Sequence, residues 1–194
     1  MRARGDREFA RVLGSADVCL PDGSGVVWAA RRQGCAMSGP VTGVDLIPPL
    51  AALCASHGWR MFLLGAAPGV ADELARRLRA EHPQLDIDAA ADDESAELVS
   101  QKRPHVLLVA FGAPKQEMWI DRVGRAAGVP VAMGVGGSFD YLAGRVPRAP
   151  AWMRRARLEW LFRLGRQPWR LKRMAVLPRY AIGVLAQGRQ GSAP

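Results

Sequence analysis

The stretch R-M-F-L-L-G-A-A-P-G-V-A-D-E-L-A-R-R-L-R-A-E, residues 60–81, holds one complete unit of a fold. Arg60 to Leu64 is a short apolar run closed by Gly65. After a brief loop, Val70, Leu74 and Leu78 recur every four residues, the spacing of a helix with one apolar stripe. Pro68 suits the first turn of that helix, where its missing N–H has no partner to lose. The reading is therefore a strand over 60–64, a Gly-Ala-Ala-Pro-Gly loop over 65–69, and a helix spanning 68–81. A strand leading at once into an amphipathic helix is the repeating piece of an α/β sheet.

Working outward, the same alternation continues. Further strands are predicted at Asp17 to Leu20, Leu85 to Asp88, His105 to Phe111 and Pro130 to Val135. Helices are predicted at Arg7 to Leu13, Gly25 to Arg32, Val44 to His57, Asp93 to Lys102 and Pro114 to Ala126. Strands separated by helices imply right-handed crossovers between parallel neighbours. The predicted fold class is an open, mainly parallel, Rossmann-like α/β sheet with helices on both faces, plus a basic helical C-terminal appendage. The predicted boundary falls between an α/β body, 1–143, and the appendage, 144–194.

Composition narrows the function classes. Of the 194 residues, 49% are hydrophobic and 23% charged, the proportions of an ordinary globular chain. No run reaches the roughly 18 apolar residues needed to cross a bilayer. Met1 is followed by Arg2, Arg4 and Asp6 without an apolar stretch, so export is not expected. Cys19, Cys35 and Cys54 are odd in number and lack C-x-x-C spacing, which supports neither a disulfide framework nor a zinc site. The charge is unevenly placed: residues 1–143 are net minus 2, whereas 144–194 carry net plus 11, with Glu159 as the one acid. That segment also holds Trp152, Trp160 and Trp169. Large aromatics among arginines suit either an anionic membrane surface or nucleic acid, and against the second the body carries no nucleic-acid-binding motif.

In an open α/β sheet, ligands bind beyond the carboxyl ends of the strands, where loops converge and helix N-termini present N–H groups. Those ends read P-D-G-S-G (21–25), G-A-A-P-G (65–69), F-G-A-P-K-Q-E (111–117) and G-V-G-G-S-F-D (134–140). Glycines let backbone approach a phosphate or sugar closely. None of the loops is a Walker A sequence or a G-x-G-x-x-G opening a helix after the first strand, which argues against ATPase and ordinary dehydrogenase chemistry.

Asp22, held between Pro21 and Gly23, is placed to act as a general base, or else serves as an Asx-turn or helix cap. Gln116 and Glu117 open a helix where side chains face a ligand, although capping its own helix is the simpler role for Glu117. Asp86-Ile87-Asp88 has the D-x-D form that holds divalent ions in many nucleotide-sugar transferases, and a solvated strand edge explains it as well.

Taken together, A-D-V-C-L-P-D-G-S-G-V-V-W-A-A-R (16–31), V-T-G-V-D-L (41–46), F-L-L-G-A-A-P-G-V-A (62–71), F-G-A-P-K-Q-E-M-W-I (111–120) and G-V-G-G-S-F-D-Y-L-A-G-R-V-P-R-A-P-A-W-M (134–153) resemble the WecG/TagA/CpsF glycosyltransferases, glycosyltransferase family 26. The resemblance continues through L-E-W-L-F-R-L (158–164). It implies an inverting transfer of a sugar, such as N-acetylmannosamine or its uronic acid, from a UDP-sugar donor to a polyprenyl-diphosphate-linked acceptor. Such a transfer serves bacterial cell-surface polymer or teichoic acid synthesis.

Under the resemblance, Asp22 matches the family's base. Gly23, Gly25, Gly65, Gln116, Gly136, Gly137 and Asp140 fall at donor-facing positions. Arg163, Arg170 and Arg173 fall where the acceptor diphosphate is met. No metal or other cofactor is expected, and the place of action implied is cytoplasmic, peripheral at the inner face of the membrane.

Three departures from the family pattern stand out. The chain starts after the family's Thr-x-Asn strand, Pro40 replaces an Arg before V-T-G, and the segment after 85–88 lacks a Gly-aromatic-Phe loop. They raise two expectations: a truncated or degenerate member without turnover as the alternative, and a homo-oligomer covering an exposed sheet edge.

Overall fold

The computed structural model describes residues 2–91, 96–147, 149–150, 152–153, 159–166 and 176–186. The chain divides into two compact units: Asp6–Asp17 with Gly43–Pro147, and Met1–Gly5 with Val18–Thr42 and Arg148–Pro194.

The first unit contains the sheet. Strands β1 (Met61–Gly65), β2 (Ile87–Ala90), β3 (Val106–Ala110) and β4 (Val131–Gly134) are parallel, in the order β2-β1-β3-β4 among the described residues. Met61 pairs with Ile87 on one side and with Val106 on the other, and Val106 with Val131 in turn. β1 and β3 are buried along their whole length. That is why they read as continuous apolar runs without alternation.

Around the sheet lie α2 (Arg7–Gly14), α4 (Gly43–His57), α5 (Val70–Glu81), α6 (Ala96–Lys102), α7 (Lys115–Trp119) and α8 (Ser138–Leu142). The connection β1-α5-β2 moves outward in one direction. β2-α6-β3 and β3-α7-β4 move in the other, so right-handed crossovers send α5 to one face and α6 and α7 to the opposite face. The two cores agree. Ile47 and Cys54 of α4, Leu74 and Leu78 of α5, and Phe139 of α8 pack with Met61, Leu63 and Leu108. Val99 of α6 and Trp119 of α7 pack with Phe62, Leu64 and Leu107 on the other side. Parallel strands with helices on both faces are the architecture expected from the sequence.

Several boundaries differ from expectation. Pro68 lies in the turn before α5, whose cap is Gly69 in the left-handed region at φ 75°, so the chain must bend there before the helix can start. β2 begins two residues later than predicted, because its ladder with β1 sets the register and draws in Ala89 and Ala90. Of the predicted helix Asp93 to Lys102, 93–95 lie outside the described residues.

The helix predicted from Pro114 is an α-turn over Lys115–Trp119 followed by a π-turn over Ile120–Gly124. Trp119 and Ile120 both pack into the same core, and a widened turn lets two successive residues do so. α4 keeps Pro48 and Pro49 in its interior, although each removes a backbone donor. Ile47, Ala51 and Cys54, one stripe of the helix, are completely buried and hold it on the sheet. Burial also raises the pKa of the Cys54 thiol, making it an inert core group.

The second unit contains α1 (Arg2–Gly5), α3 (Ser24–Arg32), α9 (Glu159–Arg166) and α10 (Val176–Ala186). The strand expected at Asp17 to Leu20 is absent: these residues have no ladder partner among the described residues, and Val18 and Leu20 are exposed. A strand has no hydrogen bonds of its own, so apolar composition cannot create one without a neighbour. α3 packs against α10. The Arg31 guanidinium donates to Met37 O at 2.6 Å and Ser38 O at 2.9 Å, folding the 33–38 loop back on α3. Pro178 sits in the first turn of α10 and does not interrupt it. No helix among the described residues is long and apolar enough to cross a membrane.

Candidate active site

The strand order makes β1 and β3 the switch point, because the connections leaving their carboxyl ends depart to opposite faces. The loops there are pinned to the sheet. Ala66 N donates to Ala110 O at 3.2 Å, and Val135 N donates to Val109 O at 2.8 Å.

Gly65 ends β1 at φ 94°, and a Cβ there would lie 2.7 Å from the Phe111 ring. Both the backbone angle and the space demand glycine. Phe111 in turn meets Trp119 edge-on, with ring centroids 5.8 Å apart, and Lys115 Nζ stands 4.8 Å over its face. The amino end of α4 reaches the same region. A Cβ on Gly43, the glycine of V-T-G, would lie 2.6 Å from Ser138 Oγ, and that hydroxyl donates to Val135 O at 2.7 Å.

Gln116 joins two of these loops. It is 6% exposed. Its Oε1 accepts from Gly112 N and from Gly136 N, each at 3.0 Å, and its Nε2 donates to Glu117 Oε1 at 2.9 Å. Gly134 gives it room, since a Cβ there would sit 2.6 Å from Nε2. One buried amide thus fastens the loop after β3 to the loop after β4. Each such bond is worth about 1 kcal/mol net, and an unmet buried donor would cost about 1–3 kcal/mol.

Asp140, in the first turn of α8, is half-buried. Its carbonyl accepts from Arg145 N at 2.9 Å and Val146 N at 3.1 Å. Gly137 backs on to it, a Cβ there falling 3.8 Å from Asp140 Oδ2. Gly65, Gln116, Gly136, Gly137 and Asp140 therefore belong to one unit and line the carboxyl end of its sheet.

Asp22, Gly23 and Gly25 belong to the other unit. Asp22 is exposed, one residue outside the cap of α3, which is Gly23 at φ 103° with no side-chain cap bond. Arg163 lies in α9, while Arg170 and Arg173 lie outside the described residues.

Asp88 pairs with Lys102 Nζ at 3.2 Å and Ile87 between the two acids is buried in β2, the arrangement of a solvated strand edge. No cluster of three His, Cys, Asp or Glu side chains among the described residues could hold a metal ion. Sequence reading missed the joint of Gly112, Gln116, Glu117 and Gly136 and the contacts of Gly43 and Gly65. Only the glycines themselves signalled them, since each contact spans twenty or more residues of chain or depends on a loop's path.

The chain resembles known glycosyltransferases along most of its length. The chain is 36% identical over 188 residues to the N-acetylglucosaminyldiphosphoundecaprenol N-acetyl-beta-D-mannosaminyltransferase of Bacillus subtilis (strain 168), a match covering 94% of this chain and 73% of that protein. It is 35% identical over 192 residues to the enzyme of the same name from Bacillus spizizenii, covering 96% and 75% respectively. Residues 1–194 match the family described as glycosyl transferase WecG/TagA/CpsF. With the glycine loops at the switch point of a parallel sheet, and this match along its full length, the chain belongs to the WecG/TagA/CpsF glycosyl transferase family.

Proposed function

We propose that this protein is an inverting glycosyltransferase that moves N-acetylmannosamine, or a closely related sugar, from a UDP-sugar to a polyprenyl-diphosphate-linked N-acetylglucosamine. The observation that carries the reading is the pair of glycine loops at the carboxyl end of the sheet, braced by Gln116, in a chain similar along 94% of its length to an enzyme named as an N-acetylmannosaminyltransferase.

In this reading Asp22 takes the proton from the attacking acceptor hydroxyl as its oxygen bonds to the anomeric carbon. The bond to UDP breaks on the opposite side, which inverts the centre. The charge growing on the UDP oxygen is met by backbone N–H groups of the glycine loops and by arginines, in place of a metal. Arg163, Arg170 and Arg173 receive the acceptor diphosphate, a task suited to bidentate guanidinium.

The basic segment 144–194 holds the enzyme on the anionic inner face of the membrane, where its lipid-linked acceptor lies. Copies of the chain associate, supported by β4, which pairs with β3 alone among the described residues and exposes Val131.

The test is calorimetric titration with UDP, followed by incubation with UDP-N-acetylmannosamine and a lipid-diphosphate-N-acetylglucosamine acceptor, read by mass spectrometry. Binding and a disaccharide-lipid product are expected. UDP binding without product would favour a member that has kept the fold and lost turnover, and no UDP binding overturns the donor assignment.

A further inference from the structure

Glu117 presents a buried carboxylate oxygen that neither the fold nor the proposed chemistry uses. The cap of α7 is Pro114, which has no backbone N–H for a Glu three residues on to accept, so the capping role suggested by sequence is not the one Glu117 has. Its Oε1 accepts from Gln116 Nε2 at 2.9 Å, and its Oε2 is buried with no hydrogen-bond partner among the described residues. Successive residues of a helix do not ordinarily face one another. A carboxylate oxygen shut away from water without a partner is uncommon in a native fold. Both features coincide at the joint between the loops after β3 and β4.

The amide of Gln116 can sit in two orientations that exchange oxygen and nitrogen. In one, Oε1 receives the N–H groups of Gly112 and Gly136, each at 3.0 Å. In the other, the amide NH2 would face two donors and both bonds would be lost. A carboxylate has lone pairs and no proton to give, so Glu117 accepts from Nε2 and repels Oε1.

We propose that Glu117 is a positioning residue: it fixes the orientation of the Gln116 amide, and so holds the loops after β3 and β4 as one rigid wall. That this wall faces the sugar-nucleotide rests on the function proposed above; the clamp itself stands on geometry.

The experiment measures amide hydrogen exchange by NMR at Gly112 and Gly136 in the full chain, together with UDP titration. Glu117→Ala should speed exchange at both glycines and weaken UDP binding, each by about tenfold, the worth of one hydrogen bond to a charged group. The amides of Met61–Gly65 should be unaffected. Glu117→Gln keeps an acceptor oxygen but adds a donor that the flipped amide could use, so its exchange should fall between wild type and Glu117→Ala.

Gln116→Glu sets carboxylate against carboxylate and should release the clamp, while Gln116→Glu with Glu117→Gln restores a donor facing an acceptor and should recover protection at both glycines. Unchanged glycine exchange in Glu117→Ala, or a double variant no better than Gln116→Glu, overturns the proposal. Should Glu117→Ala fail to fold, the double variant decides alone. A wild-type chain that binds no UDP refutes the donor reading and leaves the exchange measurements to judge the clamp.

Discussion

Asp22 stands exposed between Pro21 and Gly23, its backbone N–H donating to Leu20 O at 3.0 Å. Sequence left it divided between base and cap. The structure gives the cap of α3 to Gly23, at φ 103°, a backbone angle that suits glycine. In the proposed reaction, Asp22→Asn should lower kcat by about a hundredfold or more, the usual scale for losing a general base, with little change in UDP affinity. Steady-state transfer rates beside a UDP titration check this, and a folded Asn variant with full turnover ends the assignment. Gly65 shows the opposite kind of legibility. Its presence in the loop was plain, and its reason, the Phe111 ring 2.7 Å from a Cβ, came from a residue more than forty positions away.

At the scale of elements, α2 is tied to the helix after β3 by charge as well as by packing. Arg11 donates to Asp121 Oδ2 at 2.8 Å, Arg125 Nε lies 3.3 Å from Oδ1, and Arg125 also donates to Ser15 O at 2.7 Å. The hydrogen bond from Arg11, then the charges of Arg11 and Arg125, hold the Asp121 carboxyl below its ordinary pKa. A folded value lower than the unfolded one means the pair stabilises the fold above the unfolded value, and that this contribution is lost as pH falls through the folded one. The urea midpoint of the wild type should therefore decline in acid more steeply than that of Asp121→Asn, which carries no such proton linkage. Equal slopes would show that the pair adds nothing. Both guanidiniums are solvent-exposed, so added salt should narrow the difference.

For the molecule as a whole, the division of charge is the dominant feature: net minus 2 over residues 1–143 and net plus 11 over 144–194. In the proposed membrane attachment each arginine near an anionic surface would contribute about 1 kcal/mol, making it strong in sum yet sensitive to salt. Trp152 and, on α10, Leu177, Ile182 and Leu185 are exposed, offering apolar contacts beside the charge. The protein should co-sediment with vesicles containing anionic lipid, less so at high salt. Replacing Arg163, Arg170 and Arg173 by Glu should release it. Equal binding to neutral and anionic vesicles, or binding to neither, would return those arginines to the role of a solvated face.

The amino-acid sequence was enough for the class of fold, because burial on both faces leaves strands such as 61–65 and 106–110 as unbroken apolar runs and helices such as 70–81 as stripes. It also marked the loops, since glycine is the residue a close backbone approach requires. What it could not determine were features set by partners distant along the chain. The segment 17–20 has strand composition and is no strand, because a ladder needs a neighbour. Ala89 and Ala90 look like loop and are strand, because β1 supplies one. Gln116 and Glu117 read as the start of a helix. Only the folded sheet, by bringing Gly112 and Gly136 to within 3.0 Å of one amide oxygen, makes them the fastening between two loops.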